Sequence, residues 1–235
     1  MTAIVDSFFS HLVSHYFDDH AEFYQPLPVP DDFAHQVVNR PSGDLHLIGR
    51  AYQLQQFGEV RFVLMTSSKV DVLTLFFYPY AQWHLPLYSM QFVRLGGRPV
   101  IGVLDLPSLC GENEPAKNLM IKTSAMTGLA YDEDVPAWYV ECRSGYDLLI
   151  RPQTDNDFIL LGQAHHDILN GLVSLTKGAS LLDPIQADAH KIAIKDYQVH
   201  HYQNSSGLPL MRNIFGEQWT QAFLGDWFYA EVLPS

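Results

Sequence analysis

Basic residues are scarce in this sequence of 235 residues. Lys and Arg together number 14 against 26 Asp and Glu, which gives a formal net charge of −12 at pH 7. Proteins that bind nucleic acid use basic surfaces to displace counterions from phosphates, and anionic lipid attracts clustered Lys and Arg in a similar way. The charge balance therefore argues against nucleic acid and against a membrane as partners.

Cysteine and long apolar runs are scarce as well. The two cysteines, Cys110 and Cys142, are too few for a disulfide framework and fit a reducing compartment. No basic segment precedes the apolar residues of positions 1–20, so this stretch does not have the pattern of a signal peptide. No apolar run approaches the roughly 18 residues that indicate a transmembrane helix. We therefore expect a soluble, cytoplasmic protein.

Hydrophobic residues, in contrast, make up 47% of the chain and aromatic residues 13%. This content is enough to bury a sizeable core and excludes a disordered or fibrous chain. The length suits one large domain, and no repeat or linker interrupts the sequence. We expect a single domain over residues 1–235.

From residue 45 the sequence consists of short segments rich in β-branched and aromatic residues. Turn residues separate five of them: LHLIGRAYQL, EVRFVLMT, VDVLTLFFYP, LYSMQFVRL and PVIGVLDL. Closely spaced segments of this kind predict an antiparallel meander. The pair Gly96-Gly97 predicts a hairpin turn, and a sixth strand is expected at 146–151.

Apolar residues at helical spacing occur in the sequence both before and after these strands. This spacing predicts a short amphipathic helix over 6–17, and the three prolines that follow predict an extended loop over 24–33. Beyond the strands it predicts helices over 157–175 and 183–202, and a final helix that carries Met211 to Phe223. Together these elements predict an α+β fold, a three-layer α/β/α sandwich with a central, mostly antiparallel sheet.

Three stretches follow a more specific pattern. Residues 72–109, VLTLFFYPYAQWHLPLYSMQFVRLGGRPVIGVLDLPSL, combine an aromatic-Pro pair, a Leu-Pro-Leu loop and two strands, the second ending in Asp-Leu. Residues 146–152, YDLLIRP, form a strand that ends in Arg, and residues 207–229 contain FGEQWTQAFL. In this order and spacing, over roughly the C-terminal two-thirds of the chain, the stretches resemble the ferredoxin-dependent bilin reductases. These enzymes reduce biliverdin to phycobilins.

The resemblance implies a binding mode and a chemistry. An open-chain tetrapyrrole would lie between the sheet and the C-terminal helices, with no bound metal, flavin or nicotinamide. Electrons would arrive singly from reduced ferredoxin. Acidic or imidazole side chains facing the bilin would supply protons, and burial beside the pigment would raise the pKa of the acids among them.

At three positions the sequence departs from that family. The family's central acid, on the strand after the Leu-Pro-Leu loop, is matched by Gln91, and a His or Asn on the preceding strand is matched by Thr74. An Asp in the loop before the closing helix falls at Asn204-Ser205. An amide can hydrogen-bond to a bilin but cannot deliver a proton near neutrality. We expect Gln91 and Thr74 at the reacting position and Asn204 and Ser205 in contact with the substrate.

Three further residues are candidates for specific roles. His84, in the loop QWHLPLY, is expected near the mouth of the pocket, where it would replace the missing acid as proton source. Arg151 matches a family arginine that pairs with a bilin propionate through two parallel hydrogen bonds; the alternative is a surface arginine at a strand end. Asp105 matches an Asp with a structural role in the family, and the same role is expected here.

Two pairs of adjacent histidines, His165-His166 and His200-His201, suggest a metal site as one interpretation. Neighbouring residues on a helix point in directions about 100° apart, so such pairs do not form a joint site. We expect solvated or core histidines and no metal.

The missing acids leave three functions open. The first is a divergent bilin reductase with a substitute proton source. The second is a non-catalytic tetrapyrrole-binding protein that kept the pocket and lost the chemistry. The third is a reductase of a chlorophyll-derived linear tetrapyrrole, since the red chlorophyll catabolite reductases share the general fold.

Overall fold

The computed structural model describes residues 7–41, 43–205 and 207–232, and these contain one antiparallel sheet of eight strands. The strands are β1 (Tyr24–Leu27), β2 (Gln36–Val38), β3 (Leu45–Leu54), β4 (Gly58–Thr66), β5 (Val70–Pro79), β6 (Tyr88–Leu95), β7 (Arg98–Asp105) and β8 (Leu148–Ile150). They lie in the order β1-β3-β4-β5-β6-β7-β8, with β2 paired to β3 as well. The predicted α+β fold is confirmed.

Helices precede and follow the strands of the meander. They are α1 (His11–Ser14), α2 (Tyr16–Asp19), α3 (Asp31–Ala34), α4 (Glu114–Thr127), α5 (Ala137–Val140), α6 (Asp155–Lys177), α7 (Pro184–Asn204), α8 (Leu208–Phe215) and α9 (Glu217–Thr220), and the last is followed by a π-helix (Gln221–Phe228). Within the described ranges, no helix has the length and apolar character needed to cross a membrane.

The predicted meander is confirmed as β3 to β7, and the predicted sixth strand is β8. Each strand pairs with the next, so Thr74 of β5 lies opposite Gln91 of β6. Between β6 and β7, Gly96 and Gly97 have φ angles of 57° and 75°. Glycine adopts this left-handed conformation without steric cost, which is why the pair makes the tight turn.

The N-terminal predictions were partly wrong. The helix over 6–17 is interrupted at His15 and forms the two single-turn helices α1 and α2, while residue 6 lies outside the described residues. The proline-rich loop over 24–33 contains the edge strand β1 and the start of α3. Pro26 is tolerated in β1 because an edge strand leaves one side of its backbone unpaired.

The later helices follow the sequence signals more closely. The predicted helix over 157–175 is α6, which begins two residues earlier because Thr154 and Asp157 form a capping box. The predicted helix over 183–202 is α7. The predicted final helix is broken at Gly216, whose φ of 85° ends α8. Helix α4 was not predicted, because its apolar residues do not form a clear stripe.

Both faces of the sheet are buried, by different helices. On one face, α6 contributes core residues that pack with aromatic residues of β4 to β6: Phe158, Leu161, Ile168, Phe62, Phe77 and Phe92. On the other face, α7, α8 and the π-helix contribute a second core: Ile194, Tyr197, Leu208, Met211, Phe223 and Phe228. This arrangement is the predicted three-layer sandwich, since one sheet separates two helical layers.

Arg61 of β4 holds the C-terminal segment against the second face. Its side chain is 9% exposed and forms an ion pair of 2.8 Å with Glu59. It also donates to the carbonyl of Ala230 at 3.0 Å and to the carbonyl of Trp227. The guanidinium therefore links the sheet to the end of the chain at a position where water is largely excluded.

Arg61→Ala should lower the free energy of unfolding by about 3–5 kcal/mol, because the remaining Glu59 would be a buried charge without its partner. Urea denaturation measures the change. Arg212→Ala is the matched control, since Arg212 pairs with Glu217 at 2.9 Å in an exposed position. Such a pair contributes about 0–1 kcal/mol. Equal losses in the two variants would contradict the structural role of Arg61.

Candidate functional site

A cavity of about 430 Å³ lies between the sheet and the helical layer that contains α7. Its floor includes one row of residues that crosses four strands, because Thr74 lies opposite Gln91, Gln91 opposite Val103 and Val103 opposite Leu149. Opposite residues of antiparallel strands point to the same face of a sheet. The row therefore presents two polar side chains followed by two apolar ones.

The walls of the cavity come from three separate segments. Helix α5 and the residue before it contribute Pro136, Trp138 and Tyr139. The end of α7 contributes His201 and Ser205, and the residue after the π-helix is Tyr229. A volume of this size falls within the range of about 300–1,000 Å³ of small-molecule sites. Flat aromatic walls above a partly apolar floor suit a planar, conjugated ligand.

The polar groups in the cavity are mostly uncharged. Gln91 Nε2 donates to the Thr74 hydroxyl at 3.4 Å, which leaves the amide oxygen and one N–H free for a ligand. Among the described lining residues there is no Lys, Arg, Asp or Glu. The described part of the chain also holds no cluster of three His, Cys, Asp or Glu residues suited to a metal ion. The cavity therefore offers hydrogen bonds but no fixed charge.

Among the lining residues that the structure describes, His201 is the one imidazole. Burial lowers its pKa to about 3, with the neighbouring His200 adding to the effect. Its ring lies 4.3 Å from the Tyr197 ring and its Nε2 lies 3.5 Å from the Cys142 sulfur. At neutral pH His201 is therefore an uncharged hydrogen-bonding group and not a ready proton donor.

Asn204 and Ser205 take different positions at the end of α7. Ser205 lines the cavity together with Tyr229. Burial raises the pKa of Tyr229 far above its ordinary value, so this phenol stays protonated. Asn204 instead donates to the carbonyl of His200 at 2.9 Å and does not line the cavity. The structure thus brings Ser205 to Gln91 and Thr74, but not Asn204.

Arg151 directly follows β8, whose Leu149 lines the cavity, so it lies next to the cavity without lining it. Its side chain is 51% exposed and forms ion pairs with Asp132 and, at 3.3 Å, with Asp134. Asp132 is itself fixed beside the strand, because its N–H donates to the carbonyl of Leu149 at 2.7 Å. A carboxylate of a ligand would have to compete with these two for the guanidinium.

His84 is not at the mouth of this cavity, contrary to the prediction. Its N–H donates to the carbonyl of Ser180 at 2.9 Å, and Trp83 forms a bridge with Leu181. These bonds hold the loop against the segment between α6 and α7. His84 lines a separate cavity of about 250 Å³ near the start of α4. His84 and Gln91 therefore line different cavities.

Trp138, Tyr139, His201 and Tyr229 were not predicted as site residues. They reach the cavity from α5, α7 and the segment after the π-helix, which are distant in sequence. The fragment Pro136-Ala137-Trp138-Tyr139 was the one available signal, since adjacent aromatic residues after a proline outside the predicted elements are unusual for a solvated loop.

Asp105 lies behind the cavity at the end of β7, with no exposed surface. Its Oδ2 accepts the N–H of Ser144 at 3.0 Å. Burial raises the pKa of Asp105 from 3.8 to about 7; the Ser144 hydrogen bond opposes this and the nearby Asp147 adds to it. The side chain is therefore a carboxyl group that titrates near neutrality inside the protein.

Comparisons with known proteins identify a family and a shared fold. The family model of ferredoxin-dependent bilin reductases matches residues 14–229. Among solved structures, the chain is similar to phytochromobilin synthase from tomato, which was determined in complex with biliverdin. The TM-score is 0.79 at 15% sequence identity, over 94% of this chain and 82% of the tomato chain. Comparison with curated proteins gives no match. The structural likeness at this identity establishes the fold alone.

Asp105 should make the stability depend on pH. Between pH 3.8 and about 7 the folded protein keeps a proton on Asp105 that the unfolded chain has released. The free energy of unfolding of the parent, relative to that of Asp105→Asn, should therefore fall as the pH rises through this range and level off above it. Urea denaturation of both proteins across this range measures the difference. Curves that run parallel throughout would contradict the shifted titration.

Proposed function

Because the chain belongs to the ferredoxin-dependent bilin reductase family, we propose that it binds a linear tetrapyrrole such as biliverdin in the cavity and reduces it slowly. The electrons arrive singly from reduced ferredoxin, without a resident metal, flavin or nicotinamide. The observation that carries this proposal is the floor row of Thr74 and Gln91 beneath the aromatic wall.

The cavity suits the middle of a tetrapyrrole. The conjugated rings fit between the apolar part of the floor and Trp138, where flat surfaces exclude water. The amide of Gln91 and the hydroxyl of Thr74 can bond to lactam oxygens and pyrrole N–H groups, which need both acceptors and donors. The absence of charge among the described lining residues suits this uncharged part of the ligand.

The propionates of a bilin, in contrast, need a cation or water. Because the described lining residues include no cation, the propionates extend out of the cavity, and Arg151 is the adjacent guanidinium. Release from Asp134, whose side chain is 90% exposed, costs only about 0–1 kcal/mol, whereas Asp132 is 15% exposed and competes more strongly. A bilin propionate therefore replaces Asp134 as a partner of Arg151.

Slow chemistry follows from the same lining. Gln91 stands at the reacting position and has no proton to give, and His201 is uncharged at neutral pH because its pKa is about 3. General acid catalysis contributes on the order of 10²–10⁴-fold to a rate. The protein therefore binds its ligand well and turns it over poorly.

Gln91→Asp should accelerate ferredoxin-dependent loss of the biliverdin absorption band on the order of 10²-fold. The new carboxyl would lie in an apolar cavity, where burial raises its pKa and keeps a proton available. Anaerobic single-turnover absorbance with excess reduced ferredoxin measures the rate. Gln91→Asn is the matched control, because it has the size of Asp but no titratable proton.

Two results would contradict this account. Rapid reduction of biliverdin by the parent protein would show that no cavity acid is needed. Equal rates for Gln91→Asp and Gln91→Asn, with unchanged binding of biliverdin, would show that a carboxyl group at this position does not restore proton delivery.

Arg151→Ala should weaken biliverdin binding about tenfold, or ~1.4 kcal/mol, because the propionate loses its guanidinium partner. Asp134→Asn should tighten binding, because it removes an exposed competitor for Arg151. Absorbance titration with biliverdin measures both constants, and Arg212→Ala serves as an exposed control away from the cavity. Unchanged affinity in Arg151→Ala would return this residue to the role of a surface arginine.

A non-catalytic tetrapyrrole-binding protein is the second candidate function. The observation that favours it is the lack of Asp and Glu among the described lining residues. It shares every binding prediction with the reductase and differs only in turnover. Complete absence of biliverdin reduction by the parent protein, together with tight binding, would select this second function.

A further inference from the structure

We propose that Arg98 binds one of the two carboxylates of a linear tetrapyrrole at the mouth of the cavity, beside the carboxylate that Arg151 binds. The proposal rests on the proposed binding of a linear tetrapyrrole and adds a residue that decides which tetrapyrroles the cavity accepts. Two guanidiniums at one mouth favour pigments with two free carboxylates over esters of the same pigments.

The mouth of the cavity lies at the turn between β6 and β7. Lining residues far from this turn have little exposure, since Met90 is 1% exposed, Ser89 4% and Thr74 7%. Leu95, the last residue of β6, also lines the cavity but is 44% exposed. Exposure therefore rises along β6 toward the turn, and the cavity opens to solvent at this end.

Arg98 lies on the cavity side of the sheet at this mouth. It is the first residue of β7 and is paired directly with Leu95 across the turn. On its other side Leu95 is paired with Val70 of β5. Opposite residues of antiparallel strands share one face of a sheet. Because Leu95 lines the cavity, the row of Val70, Leu95 and Arg98 forms its rim.

No acid of the protein holds the guanidinium of Arg98. The residue is exposed, and within the described ranges its side chain has neither an ion pair nor a hydrogen bond. Arg94, on the neighbouring strand, pairs with Asp155 at 3.1 Å, and Arg151 pairs with Asp132 and Asp134. A ligand carboxylate at Arg98 therefore displaces only water and competes with no aspartate.

Arg98 and Arg151 flank the same part of the mouth. Gly102 is paired with Ile150, so Arg151 follows beside Ile101, which lines the cavity. Arg98 lies three residues from Ile101, which is about 10 Å at a rise of about 3.3 Å per residue, and neighbouring strands are about 4.8 Å apart. The two arginine backbones are therefore about 11 Å apart.

This separation suits the two propionates of biliverdin, which extend from its two central rings. A flexible propionate and a long arginine side chain meet over several ångströms, so each carboxylate reaches its own guanidinium. With the conjugated rings in the cavity, both propionates leave it at the one end that opens to solvent.

The mouth, and not the cavity, distinguishes an acid from its ester. Among the described lining residues there is no Lys or Arg, so the lining binds both forms of the pigment through the same uncharged groups. A guanidinium donates two parallel hydrogen bonds to a carboxylate, whereas an ester has no charge and offers a weaker acceptor. An exposed pair of this kind changes an affinity by up to about fivefold and is screened by salt.

Absorbance titration with biliverdin and with biliverdin dimethyl ester tests the role of Arg98. Arg98→Ala should weaken biliverdin binding about fivefold and leave ester binding unchanged. Because separate contacts add, the parent should prefer biliverdin to the ester on the order of 50-fold, and the double variant Arg98→Ala/Arg151→Ala should bind both alike. The preference of the parent should shrink as salt rises from about 0.05 M to about 0.5 M.

Lys69→Ala is the matched control. Lys69 is an exposed residue of the neighbouring turn between β4 and β5, and its carbonyl accepts the N–H of Gly96 at 2.7 Å. The variant removes one positive charge at the same end of the sheet, and it should change biliverdin affinity less than about twofold, since exposed charges without direct contact are screened.

Three results would overturn the role of Arg98. The first is unchanged biliverdin affinity in Arg98→Ala. The second is an equal loss in Lys69→Ala, which would indicate a general field and not a contact. The third is an equal loss of ester binding in Arg98→Ala, which would indicate damage to the cavity. Failure of the parent to bind either pigment would instead refute the proposed function, and the role of Arg98 would fall with it.

Discussion

Burial of both faces of one antiparallel sheet is the constraint on which the rest of this structure depends. Helix α6 covers the first face along its length with large apolar side chains. On the second face, α7 and the C-terminal helices cover β3 to β5 closely, and Arg61 fixes the end of the chain there. Over β5 to β8 the helical layer stands off from the sheet, and the resulting space is the cavity.

Desolvation in this region then decides which groups carry charge. It holds His201 neutral, keeps Tyr139 and Tyr229 protonated and raises the pKa of Asp105 to about 7. A ligand in the cavity therefore meets uncharged hydrogen-bonding groups first and titratable groups behind them. In the proposed binding mode, the same physical effect favours a conjugated, largely uncharged ligand body, with its carboxylates outside the cavity toward Arg151.

Elements with strong local signals were predictable from the sequence. Strands β3 to β7 alternate apolar residues between turns, and α7 begins at an Asp-Pro pair that is a reliable helix start. Strand β1 and helix α4 were missed, because β1 depends on pairing with β3 and α4 has no marked apolar stripe. The break at Gly216 was also missed, although its positive φ of 85° requires glycine.

The residues of the site also divide into those that the sequence predicts and those that it does not. Gln91 and Thr74 could be placed by motif, since both lie in the stretch 72–109 that resembles the family, and Ser205 by its position before the closing helix. His84 could not, because hydrogen bonding to Ser180 turns its loop away from the cavity. Tyr139 and His201 depend on how α5 and α7 pack over the sheet, and a sequence shows no such long-range contact directly.

Binding of biliverdin to the cavity is the central claim, and absorbance titration of the parent protein and of Val103→Trp tests it most directly. Val103 lies in the middle of the floor, opposite Gln91 and Leu149, so an indole there fills the space of the ligand. We expect one biliverdin per parent chain with an altered visible spectrum, and no binding to a folded Val103→Trp. Val199→Trp, at an exposed position of α7, should bind like the parent. Equal binding by Val103→Trp would contradict the account.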